Sequence, residues 1–363
     1  SVLPAYHPDP TVCRVGADYY LATSTFEYFP GVPIFHSRDL VHWRQIGHAL
    51  TRPSQLSLAT TKSSKGIFAP TLRHHRGTFY LVTTNIDGGG NFYVTTRDPA
   101  GEWSEPVWIR ESSWGMDPSL FFDDDGKVYY TRHGGGERGA VYQAEIDIQR
   151  GELLTEPRAI WSGTGGVWPE GPHLYEIDGT YYLMIAEGGT SYRHAITIAR
   201  SRSPWGPFEA NPRNPILTHR DRAGHPIQAT GHGDLVRAVD GSYWMTLLAI
   251  RPSDGRHHHL GRETFLVPLT WQADGWPIVN GGRGLELEMS GRGPALGAAV
   301  PPAEPREEFS DPKLGLEWIF LRNPAASDFS LAARPGWLRL SGHAVSLDDG
   351  GAPAFVGRGG QHI

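Results

Sequence analysis

The chain has little cysteine: Cys13 is the one thiol among 363 residues, so no internal disulfide can form and a cysteine-built metal site is excluded. Methionine is scarce as well, with 4 residues. No apolar run reaches the length a membrane-crossing helix needs, and no secretory leader opens the sequence at Ser1. A lone thiol without a leader points to the cytoplasm, with secretion or a periplasmic setting as the alternative if a leader had been removed. Positive charge shows no excess. Lys and Arg total 33 against 39 Asp and Glu, the net charge is −6, and the signs are interspersed. A nucleic-acid binder would carry a basic stripe, so that class of partner is excluded, as is a membrane.

Glycine (45), proline (29), tryptophan (12) and tyrosine (14) are plentiful. This mixture favours many short strands and tight turns over long helices. Aromatic wealth on a mildly acidic scaffold suits a neutral, hydroxyl-rich ligand such as a sugar.

A strand core recurs five times: Ala17-Asp18-Tyr19-Tyr20, Gly77-Thr78-Phe79-Tyr80, Gly126-Lys127-Val128-Tyr129, Gly179-Thr180-Tyr181-Tyr182 and Gly241-Ser242-Tyr243-Trp244. The copies start about 50–60 residues apart, the period of a propeller blade with four strands. Each has a first strand such as Ser119–Phe122, a turn such as Asp123–Gly126, the aromatic strand, and a third strand such as Phe92–Thr95 or Ala195–Ile198. A turn carrying Trp43, Trp103 or Trp205 then leads to the outer strand. The expected fold is all-β, a five-bladed β-propeller over residues 1–290. A β-sandwich with coincidental hairpins is the alternative. A Gly- and Pro-rich linker, residues 291–306, follows. Residues 307–363 suggest strands at Glu307–Phe309, Leu316–Phe320, Trp337–Leu340 and Ala354–Val356. That stretch falls short of the about 100 residues a sandwich takes, so it reads as an incomplete second β domain.

Eight or nine residues before each core stands an unusual residue in a Pro- or Gly-rich frame: Asp9, Phe68, Asp117, Glu170 and His232. The first strand of each blade lines the axis, so equivalent positions converge on one pocket. Three carboxylates gathered there raise one another's pKa, and burial adds to the effect. Glycoside hydrolysis uses such a pair, one carboxylic acid to protonate the leaving oxygen and one carboxylate to activate water or attack carbon. Glu170, the longer side chain in the apolar frame Val167–Pro172, is the candidate acid. Asp9, rigid between two prolines, is the candidate base, and the charge of Asp117 would hold the proton on Glu170. Singly, Asp-Pro and Glu-Gly-Pro are also ordinary turn motifs; their joint placement carries the functional reading. His232 is either a core histidine or an axial ligand of a water or a metal, with calcium compatible if waters complete its shell. His257-His258-His259 reads as a loop or strand edge, Cys13 as a small buried residue, and Phe26 and Phe68 as sugar-stacking faces or plain core.

Tyr6-His7-Pro8-Asp9-Pro10, Ser24–Gly31, Trp168–Tyr175, Gln228–Leu235 and Leu260–Phe265 resemble the β-xylosidases of glycoside hydrolase family 43. The resemblance implies a five-bladed propeller followed by a concanavalin-like sandwich, and hydrolysis with inversion. It places Asp9 as general base, Asp117 as pKa modulator and Glu170 as general acid. It makes His232 the axial histidine near a possible Ca2+, with no cofactor required, and Arg262 a substrate contact beside the carboxylates. The implied activity is exo-release of xylose from xylo-oligosaccharides or arabinoxylan fragments, with α-L-arabinofuranosidase or dual activity as the alternative. A sugar-binding propeller without catalysis is the alternative of another class, and a homo-oligomer stays open. Phe68 departs from a tryptophan common in relatives, at the position bordering the sugar. Phe355–His362 departs from the Arg-Arg-Gln form of the family's sandwich.

Overall fold

The computed structural model describes residues 1–111, 113, 115–301, 306–347, 349, 351 and 353–359. Among these, regular structure is almost wholly strand, with two three-residue 3-10 turns at Gly136–Arg138 and Asn280–Gly282. Five antiparallel sheets follow one another along the chain. Blade 1 comprises Thr11–Val15, Asp18–Ala22, Gly31–Ser37 and Arg44–Leu50. Blade 2 comprises Thr71–His75, Thr78–Asn85, Gly90–Thr96 and Val107–Trp108. Blade 3 runs Gly115–Phe122, Val128–Gly134 and Ala140–Asp147, with outer pieces Glu152–Leu153 and Arg158–Trp161 both paired to its third strand. Blade 4 runs Glu170–Ile177, Thr180–Glu187 and Ala195–Ser201, with outer pieces Glu209–Ala210 and Leu217–Thr218. Blade 5 comprises Gln228–Arg237, Tyr243–Ile250, Glu263–Trp271 and Pro277–Val279. This is the five-bladed propeller the repeat predicts.

The innermost strands touch in order around a ring, and that of blade 5 returns to that of blade 1. The apolar core is divided accordingly, one cluster per blade interface. Ile34 and Ala22 of blade 1 meet Leu72 and Leu81 of blade 2. Val82 and Tyr93 meet Leu120 and Tyr130. Val141 meets Leu174 and Leu183. Ile196 and Met184 meet Met245 and Leu247. Val236 and Leu266 of blade 5 meet Val12 and Leu21 of blade 1. Each sheet is thus buried on both faces, which is why its strands alternate less than a half-exposed sheet would. The N-terminal segment helps close the ring: Val2 N donates to Thr264 O (2.9 Å) and His7 N to Arg262 O (2.9 Å), both on the blade 5 side.

Past the propeller, Trp318–Leu321 pairs with Val356–Arg358 on one side and with Tyr28–Phe29 of the blade 1 loop on the other. Phe329–Ser330 pairs with Arg339–Leu340. The strand expected at Glu307–Phe309 does not form. Phe309 has φ +48 and its N–H bonds the Glu307 carboxylate at 2.9 Å, so the backbone turns and the ring lies 5.4 Å from that of Trp318. Residues 302–305 of the linker and 360–363 of the C-terminal motif lie outside the described residues.

Arg322 fastens this segment to blade 1. It is 2 % exposed. Its backbone N–H donates to Glu27 O (2.8 Å), Nε to Thr61 O (2.6 Å) and Nη1 to Gly351 O (2.8 Å). Asn323 Nδ2 donates to Leu56 O at 2.9 Å. Arg322→Ala removes two charge-assisted side-chain bonds and is expected to cost about 3 kcal/mol, read as a lower denaturant midpoint. An unchanged midpoint would show that the segment is not held by this residue.

Candidate active site

The ladder register shows how the axis-facing side chains are aimed. In blades 3, 4 and 5 the innermost strand carries a bulge: Met116 pairs with His133 but Ser119 with Thr131, Glu170 with Ala186 but His173 with Met184, and Gly231 with Leu248 but Asp234 with Thr246. The extra residue bends the strand and redirects its side chains. At its start the backbone is left-handed: Asp117 (φ +53), Gly171 (φ +57) and His232 (φ +51), matched by Asp9 (φ +54) in blade 1.

This corrects the expectation that all five unusual residues are equivalent. Asp9, Asp117 and His232 occupy one position, which Gly171 fills in blade 4 and Ala69 in blade 2. Glu170 and Phe68 stand one residue earlier. The cause is turn length. Val15 and Asp18, His75 and Thr78, and Ile177 and Thr180 flank two-residue turns, whereas Phe122 and Val128, and Arg237 and Tyr243, flank five-residue ones. Counting back from the hairpin therefore slips by one between blades.

Asp9 is 5 % exposed and fully engaged. Arg262 Nη1 donates to its Oδ1 at 2.7 Å, Ser24 Oγ makes a very short bond to its Oδ2, and His232 Nδ1 stands 3.9 Å from Oδ1. Burial by itself would raise the Asp9 pKa. The Arg262 guanidinium, His232 and the Ser24 hydroxyl outweigh it and hold the carboxyl below the ordinary aspartate value.

Glu170 and Asp117 have the opposite environment. Both are buried, at 8 % and 7 % exposure, and neither has an ion pair among the described residues. Burial, then the charges of Asp117 and Asp9, push Glu170 well above the usual glutamate range. Burial likewise raises Asp117, with the Asp9 charge adding to it while His232 and the Gly171 N–H oppose it. Gly171 has a second reason to lack a side chain, since a Cβ there would meet the His232 ring at 2.8 Å. The segment before Glu170 is pinned from blade 3: His133 Nδ1 donates to Pro169 O at 2.9 Å, and its ring lies 5.5 Å from that of Trp168.

One wall is aromatic. Phe26 and Phe68 lie 5.4 Å apart, Tyr6 lies 6.2 Å from Phe26, and the Arg262 guanidinium sits 5.2 Å from the Phe26 ring centroid. Phe26 and Ile67 exchange backbone bonds of 2.8 and 3.0 Å, which ties the two aromatic loops together. A cavity of about 940 Å³ opens alongside, between Tyr6, Ser24 and Tyr28 of the propeller and Ile319 and Arg358 of the C-terminal segment. Sequence reading did not single out Ser24, Tyr6 or His133. Ser24 lies in a quoted motif, but only folding brings it to Asp9. The His257–His259 run is an exposed loop in which His257 bonds Asp254 at 2.6 Å. Cys13 is buried between blades.

Calcium requires six or more oxygen donors. The Asp9 oxygens beside His232 are taken by Arg262 and Ser24. Deeper on the axis, both Asp234 oxygens are taken, by Thr11, Tyr175 and the two Nη atoms of Arg73. Among the described residues no set of three His, Cys, Asp or Glu could hold a metal. Protein groups alone therefore do not make a calcium shell here.

Residues 1–277 match the family described as Glycosyl hydrolases family 43, and residues 306–363 match the Beta xylosidase C-terminal Concanavalin A-like domain. A non-reducing end alpha-L-arabinofuranosidase of Bacteroides ovatus is 48 % identical over 98 % of this chain and 67 % of its own length. A beta-xylosidase of Bacillus subtilis is 40 % identical over 100 % of this chain and 72 % of its own. The crystal structure of a xylan beta-1,4-xylosidase from Bacillus halodurans superposes with a TM-score of 0.92 at 41 % identity, covering 98 % of this chain and 70 % of that one. With three buried, mutually interacting carboxyls on a five-bladed scaffold and these matches along its length, the chain belongs to glycosyl hydrolase family 43.

Proposed function

We propose that this glycoside hydrolase is an exo-acting, inverting β-xylosidase that releases xylose from the non-reducing ends of xylo-oligosaccharides. The observation that carries the reading is an opposed, interacting pair of buried carboxyls, Asp9 held ionised by Arg262 at 2.7 Å and Glu170 without an ion-pair partner among the described residues. Pairs whose environments drive their pKa values apart divide into base and acid. Asp9 would take a proton from water as it attacks the anomeric carbon. Glu170 would give its proton to the departing oxygen on the other side, and the sugar would leave with inverted configuration. Asp117 would act through its charge on Glu170. Phe26, Phe68 and Tyr6 offer faces for the sugar's C–H surface, and Arg262 a donor for its hydroxyls.

Arabinofuranosidase activity is the second reading. The 48 % identical relative bears that name, and a related enzyme of Butyrivibrio fibrisolvens at 44 % identity is named xylosidase/arabinosidase. A non-catalytic sugar binder would be expected to lack an acid or a base, whereas Asp9, Asp117 and Glu170 are all present. Rates on aryl β-xyloside and aryl α-L-arabinofuranoside separate the two sugars, and NMR of the first-formed anomer tests inversion; the opposite anomer would exclude it.

Asp9→Ala is expected to abolish turnover of every substrate, and near-normal rates would overturn the base assignment. Glu170→Ala should slow xylobiose about 10²–10⁴-fold and activated aryl glycosides far less, because a good leaving group needs no proton. Equal losses on both would exclude the acid role.

Activity should be bell-shaped in pH. Asp9 must be ionised and its pKa is lowered, so the acid limb lies below the ordinary aspartate value. Glu170 must be protonated and its pKa is raised, so the basic limb lies above the ordinary glutamate value. Asp117→Asn removes a negative charge that raises Glu170 and should move the basic limb of kcat/KM to lower pH. A basic limb left in place would exclude the modulator role.

Stability carries the same signature. A carboxyl with a raised folded pKa stabilises the fold fully below its unfolded pKa and loses that contribution as pH rises to the folded value. Glu170→Gln escapes this loss of about 1.4 kcal/mol per pH unit of displacement. Its unfolding midpoint should exceed that of the parent near neutral pH, with the gain vanishing towards pH 4.

A further inference from the structure

The residue two positions after Asp9, Ala69, Asp117, Gly171 and His232 is equivalent in every blade: Thr11, Thr71, Ser119, His173 and Asp234, the first paired residue of blades 1 and 2 and the first beyond the bulge in blades 3, 4 and 5. All five are polar and nearly or wholly buried. They form a second tier on the axis, close enough to the first for His232 to act electrostatically on His173. A ring of oxygen- and nitrogen-bearing side chains around one buried carboxylate is a place where a cation is required.

Arg73 reaches into this ring from blade 2. It lies two residues after Thr71 on the same strand and therefore on the same face. Nη1 donates to Asp234 Oδ2 (2.9 Å) and to Leu72 O (2.9 Å). Nη2 donates to Asp234 Oδ1 (3.1 Å) and to His173 Nδ1 (3.0 Å). The carboxylate is held in both prongs of the guanidinium. Thr11 Oγ1 (2.8 Å), Val12 N (3.0 Å) and Tyr175 OH (2.6 Å) complete its shell. Because His173 accepts at Nδ1, it is neutral with its proton on Nε2, and Arg73 is the positive partner of Asp234.

We propose that Arg73 is the resident cation of the propeller axis, taking the charge-balancing place of a divalent metal ion, so that both the closure of the ring and the catalytic tier above it are independent of any metal. Asp234 is matched charge for charge, and its oxygens have no lone pair left to offer an ion without releasing a donor. A divalent ion entering this tier would also face a fixed guanidinium. The proposal does not depend on which sugar is cut.

The test compares the whole protein with Arg73→Met and Arg73→Lys. After dialysis against a chelator the parent should keep its kcat/KM and its thermal midpoint. Titrating calcium chloride into it in a calorimeter should give no stoichiometric heat. R73M leaves Asp234 charged and buried, so its midpoint should fall by about 10 °C. Millimolar calcium should raise the midpoint of R73M while leaving the parent and R73K unmoved. One calcium bound per parent chain, or a chelator-induced loss of parent activity restored by calcium, would overturn the proposal. So would a folded R73M that calcium does not stabilise. If R73M does not fold, the parent's calorimetry and chelator response decide the matter.

Discussion

The Asp234 carboxylate is the contact on which the rest of the molecule depends. It belongs to blade 5 and accepts hydrogen bonds from Thr11 and Val12 of blade 1, Arg73 of blade 2 and Tyr175 of blade 4. The apolar clusters between blades are non-directional and would tolerate sliding of one sheet over the next. A fully buried charge is not tolerant, because every oxygen must find its donor. One side chain thereby sets the height and rotation of four sheets relative to each other. The upper tier, with Asp9, Asp117 and His232, stands two residues earlier in each blade and inherits that alignment.

Charge is treated differently from one carboxyl to the next, and the difference is the basis of the proposed chemistry. Asp234 and Asp9 each have an arginine at hydrogen-bonding distance, and both are held ionised. Glu170 and Asp117 are buried to a similar degree without one, and both are shifted the other way. Burial is common to all four carboxyls, so it is the placement of the Arg262 guanidinium that separates the proposed base, Asp9, from the proposed acid, Glu170. The backbone bears a cost for this placement. Asp9, Asp117 and His232 hold left-handed φ values at about 1–3 kcal/mol each, a strain the surrounding cores must offset.

Much of this was legible in the chain. The five hairpins announce themselves because turn chemistry is local: Gly or Asp supplies the backbone freedom and aromatic residues the strand. The carboxylates stand out because Pro and Gly frame them. Other features were not legible. Turn length differs between blades by residues that look alike in sequence, so Glu170 and Phe68 were aligned one position late. Glu307–Phe309 has strand-like composition but turns on a carboxylate bond. Thr71-Leu72-Arg73-His74-His75 reads as a plain strand with polar ends, and nothing in it shows that Arg73 faces the axis. Ser24 is a hydroxyl among many until blade 1 brings it to Asp9.

The sequence by itself determined the number of blades, the all-β class and the three carboxyls that come together, because periodicity and framing motifs are properties of neighbouring residues. Tertiary structure alone decided which of those residues are equivalent, which carboxyl keeps its proton, and what sits on the axis. Those questions depend on the field of groups brought from distant parts of the chain, Arg262 to Asp9 and Arg73 to Asp234, and a field exists only once the ring has closed.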